Sequence, residues 1–277
     1  YINNVEFGYE FQYMRNMLHV NNGDGTFREL GQMAGIHQTE WSWSSLFMDV
    51  DNDGNRDLLI TNGFPKDVTD KDYVMFKREV GAFNNHRSLI DSIPVLKVPN
   101  YAFRNNGDFS FEDKTKEWGM FRPSFSNGAA FADLDNDGDL DYVVNNINDA
   151  AFLYENTLYA GADKKSENNF LRIKLIGEQK NKSGLGTIVT LKYDGKTQYH
   201  DHSIYRGYLS TVEDVIHFGI GTSQTVDTLT VVWPDGNSQI LSNVNANQVL
   251  EVYHTESRKS IERSPNQFGI SKGPLKE

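Results

Sequence analysis

The stretch that most constrains this chain is Phe131–Val144, FADLDNDGDLDYVV. Carboxylates fall at Asp133, Asp135, Asp137 and Asp141, Gly138 follows the third of them, and apolar residues stand on both sides. Alternating acids on a loop turned by a glycine aim several oxygens at one point. A calcium ion takes six to eight oxygens at about 2.3–2.6 Å, which suits such a loop. The pattern recurs at Phe47–Ile60, FMDVDNDGNRDLLI, with Asp49, Asp51, Asp53 and Asp57.

An EF-hand loop carries a bidentate Glu at its twelfth position. Here that position is Ile60 or Val144. The last acid comes at the ninth, Asp57 or Asp141, directly before an apolar β-rich run. The spacing therefore predicts two calcium sites on loops that join strands, not helices. The first is assigned the side chains of Asp49, Asp51, Asp53 and Asp57 and the backbone carbonyl of Asn55. The second is assigned Asp133, Asp135, Asp137 and Asp141 with the carbonyl of Asp139. Plain turns are also rich in Asp, Asn and Gly, but nine acids crowded into two loops repel one another unless a cation sits among them.

The 277 residues leave room for two domains, and 38% hydrophobic with 12% aromatic residues supply real cores. The net charge of −11 is mostly those nine acids, so it says little about partners. It does argue against nucleic acid, which asks for a basic face. With no cysteine there is no disulfide, thiolate metal site or cysteine nucleophile. No apolar run is long enough for a membrane-spanning helix. Weak calcium loops are at home outside the cytosol. The chain starts at Tyr1, inside what reads as a repeat, and is expected to be a piece of a longer protein.

A shift of 84 residues aligns Asn22-Gly23-Asp24 with Asn106-Gly107-Asp108, Phe27 with Phe111, Gly35 with Gly119, and one acidic loop with the other. Each unit reads as strand, NGD turn, strand, loop, strand, metal loop, strand, which is the strand content of a propeller blade. Two blades cannot close a ring, so residues 1–156 are read as part of a propeller, with 1–21 the tail of a further blade. Residues 65–99 interrupt the pattern. Asp70–Phe83 predicts a helix capped by Thr69 or Asp70, with Tyr73, Phe76, Lys77 and Val80 at helical spacing. This insert is either rim packing or a binding element. Residues 157–168 read as a linker. Strands are then expected at 170–176, 188–193, 198–202, 215–218, 228–233, 238–241 and 248–253, a small β-sandwich or barrel over 169–254. Residues 255–277 read as a tail.

These residues resemble known families. NNGDGTF with FxDxDxDGxxD resembles the FG-GAP/VCBS repeat of integrin-like β-propellers. NNFLRIKLIG, NKSGLGT, GYLST, HFGIG and VVWPDG, in that order, look like the ASPIC/UnbV domain. The pairing is similar to the cartilage-acidic-protein-like family, above all its large bacterial surface members, through TNGFPKDVTD, KVPNYAFRNNGD and NNINDAAFLYEN. One departure is Tyr205-Arg206-Gly207, where that family usually has a small residue before the glycine. The resemblance implies an all-β, exported, calcium-bound propeller followed by a β-domain, without established catalytic residues. It also implies a place at the outer-membrane surface, lipid-anchored through another part of the parent and associated with nutrient-uptake systems.

Two functions follow as expectations. The first is a non-catalytic extracellular module that binds a protein or glycan, with an outer-membrane transporter complex among the partners. The second is a calcium-dependent polysaccharide hydrolase or lyase, which needs paired carboxylates at a cleft. Its candidates are Glu40, next to Trp41 and Trp43, and Glu117, beside Trp118. The Trp41/Trp43 pair reads as either a sugar platform or core packing. His200 and His202 alternate on one strand face, which suits a transition-metal pair, but with no evident third ligand they are expected to be exposed sheet histidines.

Overall fold

The computed structural model describes residues 6–9, 13–68, 70–80, 86–159 and 166–259. Among the described residues it is all-β apart from two short helices in the insert and a 3-10 turn at His254–Glu256. Strand β1 (His19–Asn21) pairs with β2 (Phe27–Glu29) across the first NGD turn. There the Thr26 N–H donates to Asp24 Oδ1 at 2.9 Å, and the second NGD turn repeats the bond from Ser110 N–H to Asp108 Oδ1 at the same distance. Local Asx turns of this kind are why the NGD triplet ends a strand wherever it occurs.

Strands β3 (Ser42–Met48), β4 (Asp57–Asn62), β5 (Tyr101–Asn105) and β6 (Phe111–Asp113) form one antiparallel sheet in chain order. Strands β7 (Ser126–Ala132), β8 (Asp141–Asn146) and β9 (Phe152–Tyr154) form the next. Sheet and sequence repeat are out of phase. The sequence unit groups each NGD hairpin with the acidic hairpin after it, whereas β5–β6 joins the acidic hairpin before it. After β6 the chain winds through a tight helical turn, with Trp118 N–H on the Lys114 carbonyl and Met120 N–H on that of Thr115, both at 2.8 Å. That turn redirects the chain into the next sheet. Leu46, Met48, Leu59 and Ala102 pack against Ala129, Tyr142, Val144 and Phe152 to make a core shared by the two blades.

The insert lies between β4 and β5 of one sheet. Its helix α1 (Lys71–Val80) is capped by Asp70, whose Oδ1 accepts the Tyr73 N–H at 2.7 Å. Thr69 and residues 81–83 of the expected helix lie outside the described residues. Tyr73 is buried and its hydroxyl donates to the Leu89 carbonyl of α2 (His86–Asp91), while Phe76 and Lys77, at the same helical spacing, stay exposed.

Beyond residue 168 two sheets face each other. The first has β13 (Ile216–Gly221) antiparallel and β16 (Val249–Tyr253) parallel to a central β10 (Asn169–Ile176). The second runs β12 (Lys196–Asp201), β11 (Ile188–Tyr193), β14 (Thr225–Val232), β15 (Asn237–Asn245) and β17 (Arg258–Lys259). Leu171, Ile173 and Leu175 alternate inward on β10, as do Ile216, Phe218 and Ile220 on β13, and both sets close on Leu191, Leu229 and Trp233. Strand β17 pairs with Asn237 and Ser238 inside the stretch expected as a tail, and residues 260–277 lie outside the described residues.

Candidate metal centres

The two acidic loops fold alike, 84 residues apart. Asp49 accepts N–H donations from Asp53 (3.1 Å) and Gly54 (2.9 Å), and Asp133 accepts them from Asp137 and Gly138 (both 3.1 Å). Asp51 and Asp135 each accept from the amide two residues on, at 3.2 Å. Gly54 and Gly138 sit at φ +93° and +99°, which a side chain resists, so the turn after the third acid calls for glycine. Asp57 and Asp141 tie each loop to a neighbouring segment. Asp57 takes the Val50 and Asn105 amides at 2.9 Å, and Asp141 takes those of Leu134 (2.9 Å) and Asn156 (2.8 Å).

Carboxylate oxygens of Asp49, Asp51 and Asp57 lie within 4.8 Å of one another, as do those of Asp133, Asp135 and Asp137. Asp53 and Asp141 fall outside these converging sets. Asp53 turns one oxygen to Arg104 Nη2 at 2.9 Å, while Arg104 Nε takes Asp51 at 2.7 Å. Asn55 and Asp139 follow the glycine turns, their amides donating to Asp53 (2.7 Å) and Asp137 (3.1 Å).

The electrostatics fit a cation. Burial, and then the charges of Asp57, Asp53 and Asp51, push the Asp49 carboxyl well above the usual range. Burial pushes Asp57 up to about 7, and burial with the neighbouring Asp137 charge does the same to Asp139. Asp139 Oδ1 is buried with no hydrogen-bond partner among the described residues. All-oxygen and self-repelling, the donor set suits a hard divalent ion of calcium's kind. Such an ion would neutralise the carboxylates at each hairpin tip.

What sequence reasoning missed is the surface that covers these loops. The face of β10 and β13 turned away from the sandwich core packs on them. Asn52, fully buried, donates to the Gly138 carbonyl (3.1 Å) and the Tyr159 hydroxyl (3.0 Å), so it links one acidic loop to the other. Its Oδ1 meets His217 Nε2 at 2.6 Å, and its carbonyl accepts the Gly221 N–H at 2.9 Å. Arg172, 2% exposed, reaches Asp133 Oδ2 with Nη1 at 2.6 Å and both oxygens of Glu213 with Nη2 at 2.6 Å. A Cβ on Gly219 would stand 2.1 Å from Asp49 Oδ2, which explains the glycine within HFGIG. The one available sequence signal was the alternation of β10, which sets Phe170 and Arg172 together on its non-core face.

A Cβ on Gly138 would lie 1.9 Å from the Phe170 ring. Gly138→Ala is expected to cost about 3 kcal/mol, from backbone strain and overpacking together. Gly25→Ala, at φ +88° in open space, is expected to cost about 1 kcal/mol from strain alone. Thermal melts of the two variants check the difference, which measures how closely Phe170 seats on the second loop.

The remaining candidates scatter. His200 is pushed down to about 3 by burial and by Arg56 and Arg206, and His202 pairs with Asp214 at 3.0 Å. Neither joins a metal-ligating set among the described residues. Glu117 is exposed and salt-bridged to Lys114 at 2.7 Å, while Trp118 packs on the blade core. Glu40 is exposed at φ +60°. Trp43 donates its indole N–H to the Gly63 carbonyl at 2.8 Å and packs on Tyr208 of GYLST, with ring centroids 4.7 Å apart. Arg206, the departure before that motif, folds back onto the carbonyls of Ser203 (3.0 Å) and Asp201 (2.9 Å). The loop thus keeps its seat on β3 despite the large residue.

Two family matches accord with this architecture. Residues 9–60 and 84–144 match the FG-GAP-like repeat, and residues 177–259 match the ASPIC and UnbV domain. No curated protein matches the chain. Both acidic loops and most of the blade strands fall within the first match, with β9 beyond it, and most of the sandwich falls within the second. The chain is an FG-GAP repeat protein that carries an ASPIC/UnbV domain.

Proposed function

We propose that this chain is a non-catalytic, calcium-stiffened binding module of the cell surface that recognises a protein or glycan, as an accessory component of an outer-membrane uptake complex. The observation that carries the reading is the use made of the acidic loops. Their carboxylates are taken up by backbone amides and by Arg104 and Arg172, and Asn52 of the first loop is held by His217 on the covering face of the sandwich. An ion held there stiffens a scaffold instead of facing a substrate. FG-GAP repeats are typical of extracellular proteins. Among the described residues no helix is long and apolar enough to cross a membrane.

The test is affinity capture with the full chain from its native envelope, in calcium and in chelator, with an Asp49→Asn/Asp133→Asn double variant as control. Calcium-dependent recovery of an outer-membrane transporter, lost in the variant, is the expected result. Purified protein that turns over a polysaccharide panel, with activity lost in Glu40→Gln or Glu117→Gln, would overturn the reading in favour of an enzyme.

A further inference from the structure

The hairpin of β3 and β4 carries the first metal loop at one end. At its other end, where Ser42 begins one strand and Asn62 ends the other, lies a cavity of about 730 Å³. Its walls come from residues before β1, the segment leading into β3, Gly63 and Phe64 after β4, both ends of the 65–99 insert, and Tyr101 of β5. A volume of this size is typical of a small-ligand site.

The two tryptophans of β3 and the segment before it have different fates. Trp43 is half-buried, with its N–H engaged and its ring on Tyr208. Trp41 stacks on Phe64, with centroids 5.0 Å apart and planes 26° from parallel, and remains 45% exposed at the cavity wall. Core packing accounts for Trp43 but not for Trp41. Next to it Glu40 holds a left-handed backbone conformation, a strain that persists where the surroundings impose it and that clusters at binding sites. Gln38 and Glu40 are exposed at the cavity, and two buried nitrogens of its wall, Arg15 Nε and His37 Nδ1, have no partner among the described residues. The cavity's charges are mixed: Arg15 and Lys66 against Glu40 and Asp67, with Arg15 facing Glu29 at 3.4 Å.

We infer that this cavity binds a neutral glycan, with a pyranose ring stacked on the Trp41–Phe64 platform and its hydroxyls met by Gln38 and Glu40. Sugar rings present flat C–H faces to aromatic rings and hydroxyls at their edges. A stacked, half-open aromatic pair beside an amide and a carboxylate meets both needs. The mixed charges offer no preference for an acidic or basic sugar. The inference rests on the proposed binding function and commits it to a glycan, and it gives the insert a role as cavity wall.

The test is calorimetric titration of the full chain with neutral hexasaccharides of β-1,4-glucan, α-1,4-glucan, β-1,3-glucan, β-1,4-mannan and β-1,4-xylan. At least one is expected to bind, and Trp41→Ala is expected to weaken it by about tenfold or more. Since truncation removes a stacking partner of Phe64, a second readout uses the unaltered chain. Oxidation of Trp41, mapped by mass spectrometry, is expected to slow at saturating sugar. Binding by no member of the panel overturns the inference, as does binding that neither Trp41→Ala nor Trp41 oxidation registers. If the sugars fail while calcium-dependent capture of an envelope protein succeeds, the glycan site falls and the binding module stands. If both fail, both fall.

Discussion

Removing calcium from the full chain is expected to lower its melting temperature by roughly 10–20 °C. At free calcium a hundredfold above the dissociation constant, each site contributes about 2.7 kcal/mol, so two contribute about 5. In a chain of this size each kcal/mol moves the midpoint by about 2–4 °C. The pH dependence of that increment is the sharper reading. In the metal-free fold Asp57 titrates at about 7, against 3.8 for an ordinary Asp. Ionising it therefore costs about 4 kcal/mol more in the folded chain than in the unfolded one. Between about pH 4 and 7 the folded chain holds the extra proton, so metal-free stability falls as pH rises through that window. Asp139 acts in the same direction. Buried His200 and His217, both pushed down to about 3, act in the opposite one. The absolute melting temperature thus mixes opposing effects. The calcium increment does not, because calcium competes with the carboxyl protons and leaves the histidines as they were. Melts with calcium and with chelator should show a larger increment at pH 7.5 than at pH 5. An equal increment at both would remove the buried carboxylates from the metal site.

Arg172→Met is expected to destabilise the chain by about 3–5 kcal/mol, the usual cost of breaking a buried ion pair from one side. The guanidinium, on β10, binds Asp133 on a blade and Glu213 in the segment leading into β13, and both Arg172 and Asp133 are almost without solvent. Without it, two carboxylates face each other, since the Asp133 N–H already donates to Glu213 Oε2 at 3.2 Å. A methionine fills the volume and supplies no charge. Adding Glu213→Gln to Arg172→Met should therefore recover part of the loss, a coupling that thermal melts of the two single variants and the double variant would resolve. Amide exchange supplies the second readout. Protection should fall at the second metal loop and along the outer face of β10 and β13, and should hold in the sandwich core around Trp233.

Both expectations place the acidic loops between the blades and the sandwich, and the sequence did not disclose that placement. It did disclose the loops. Alternating acids, a glycine and a following apolar run are all local, and each is fixed by turn chemistry and strand periodicity within about a dozen residues. The same holds for the helix start at Thr69 or Asp70, where Asp70 is a cap, and for β11, read as residues 188–193 before the Asp194-Gly195 turn. The phase of the blades was not legible. Whether an NGD hairpin joins the metal hairpin before it or after it depends on which edge strand it meets, and both arrangements have the same local sequence.

The sequence by itself determined that this protein is all-β, that it carries two acidic loops of one design, and that a second β-domain follows the blades. Only the tertiary structure decided what those loops touch. Arg172 meets Asp133 across 39 residues of chain, and His217 meets Asn52 across 165. It also separated Trp41 from Trp43, two residues apart, into an open platform and a packed contact. The physical reason is the same in each case. A strand's period tells which side chains share a face, but whether that face meets water or another part of the chain depends on residues far away in sequence.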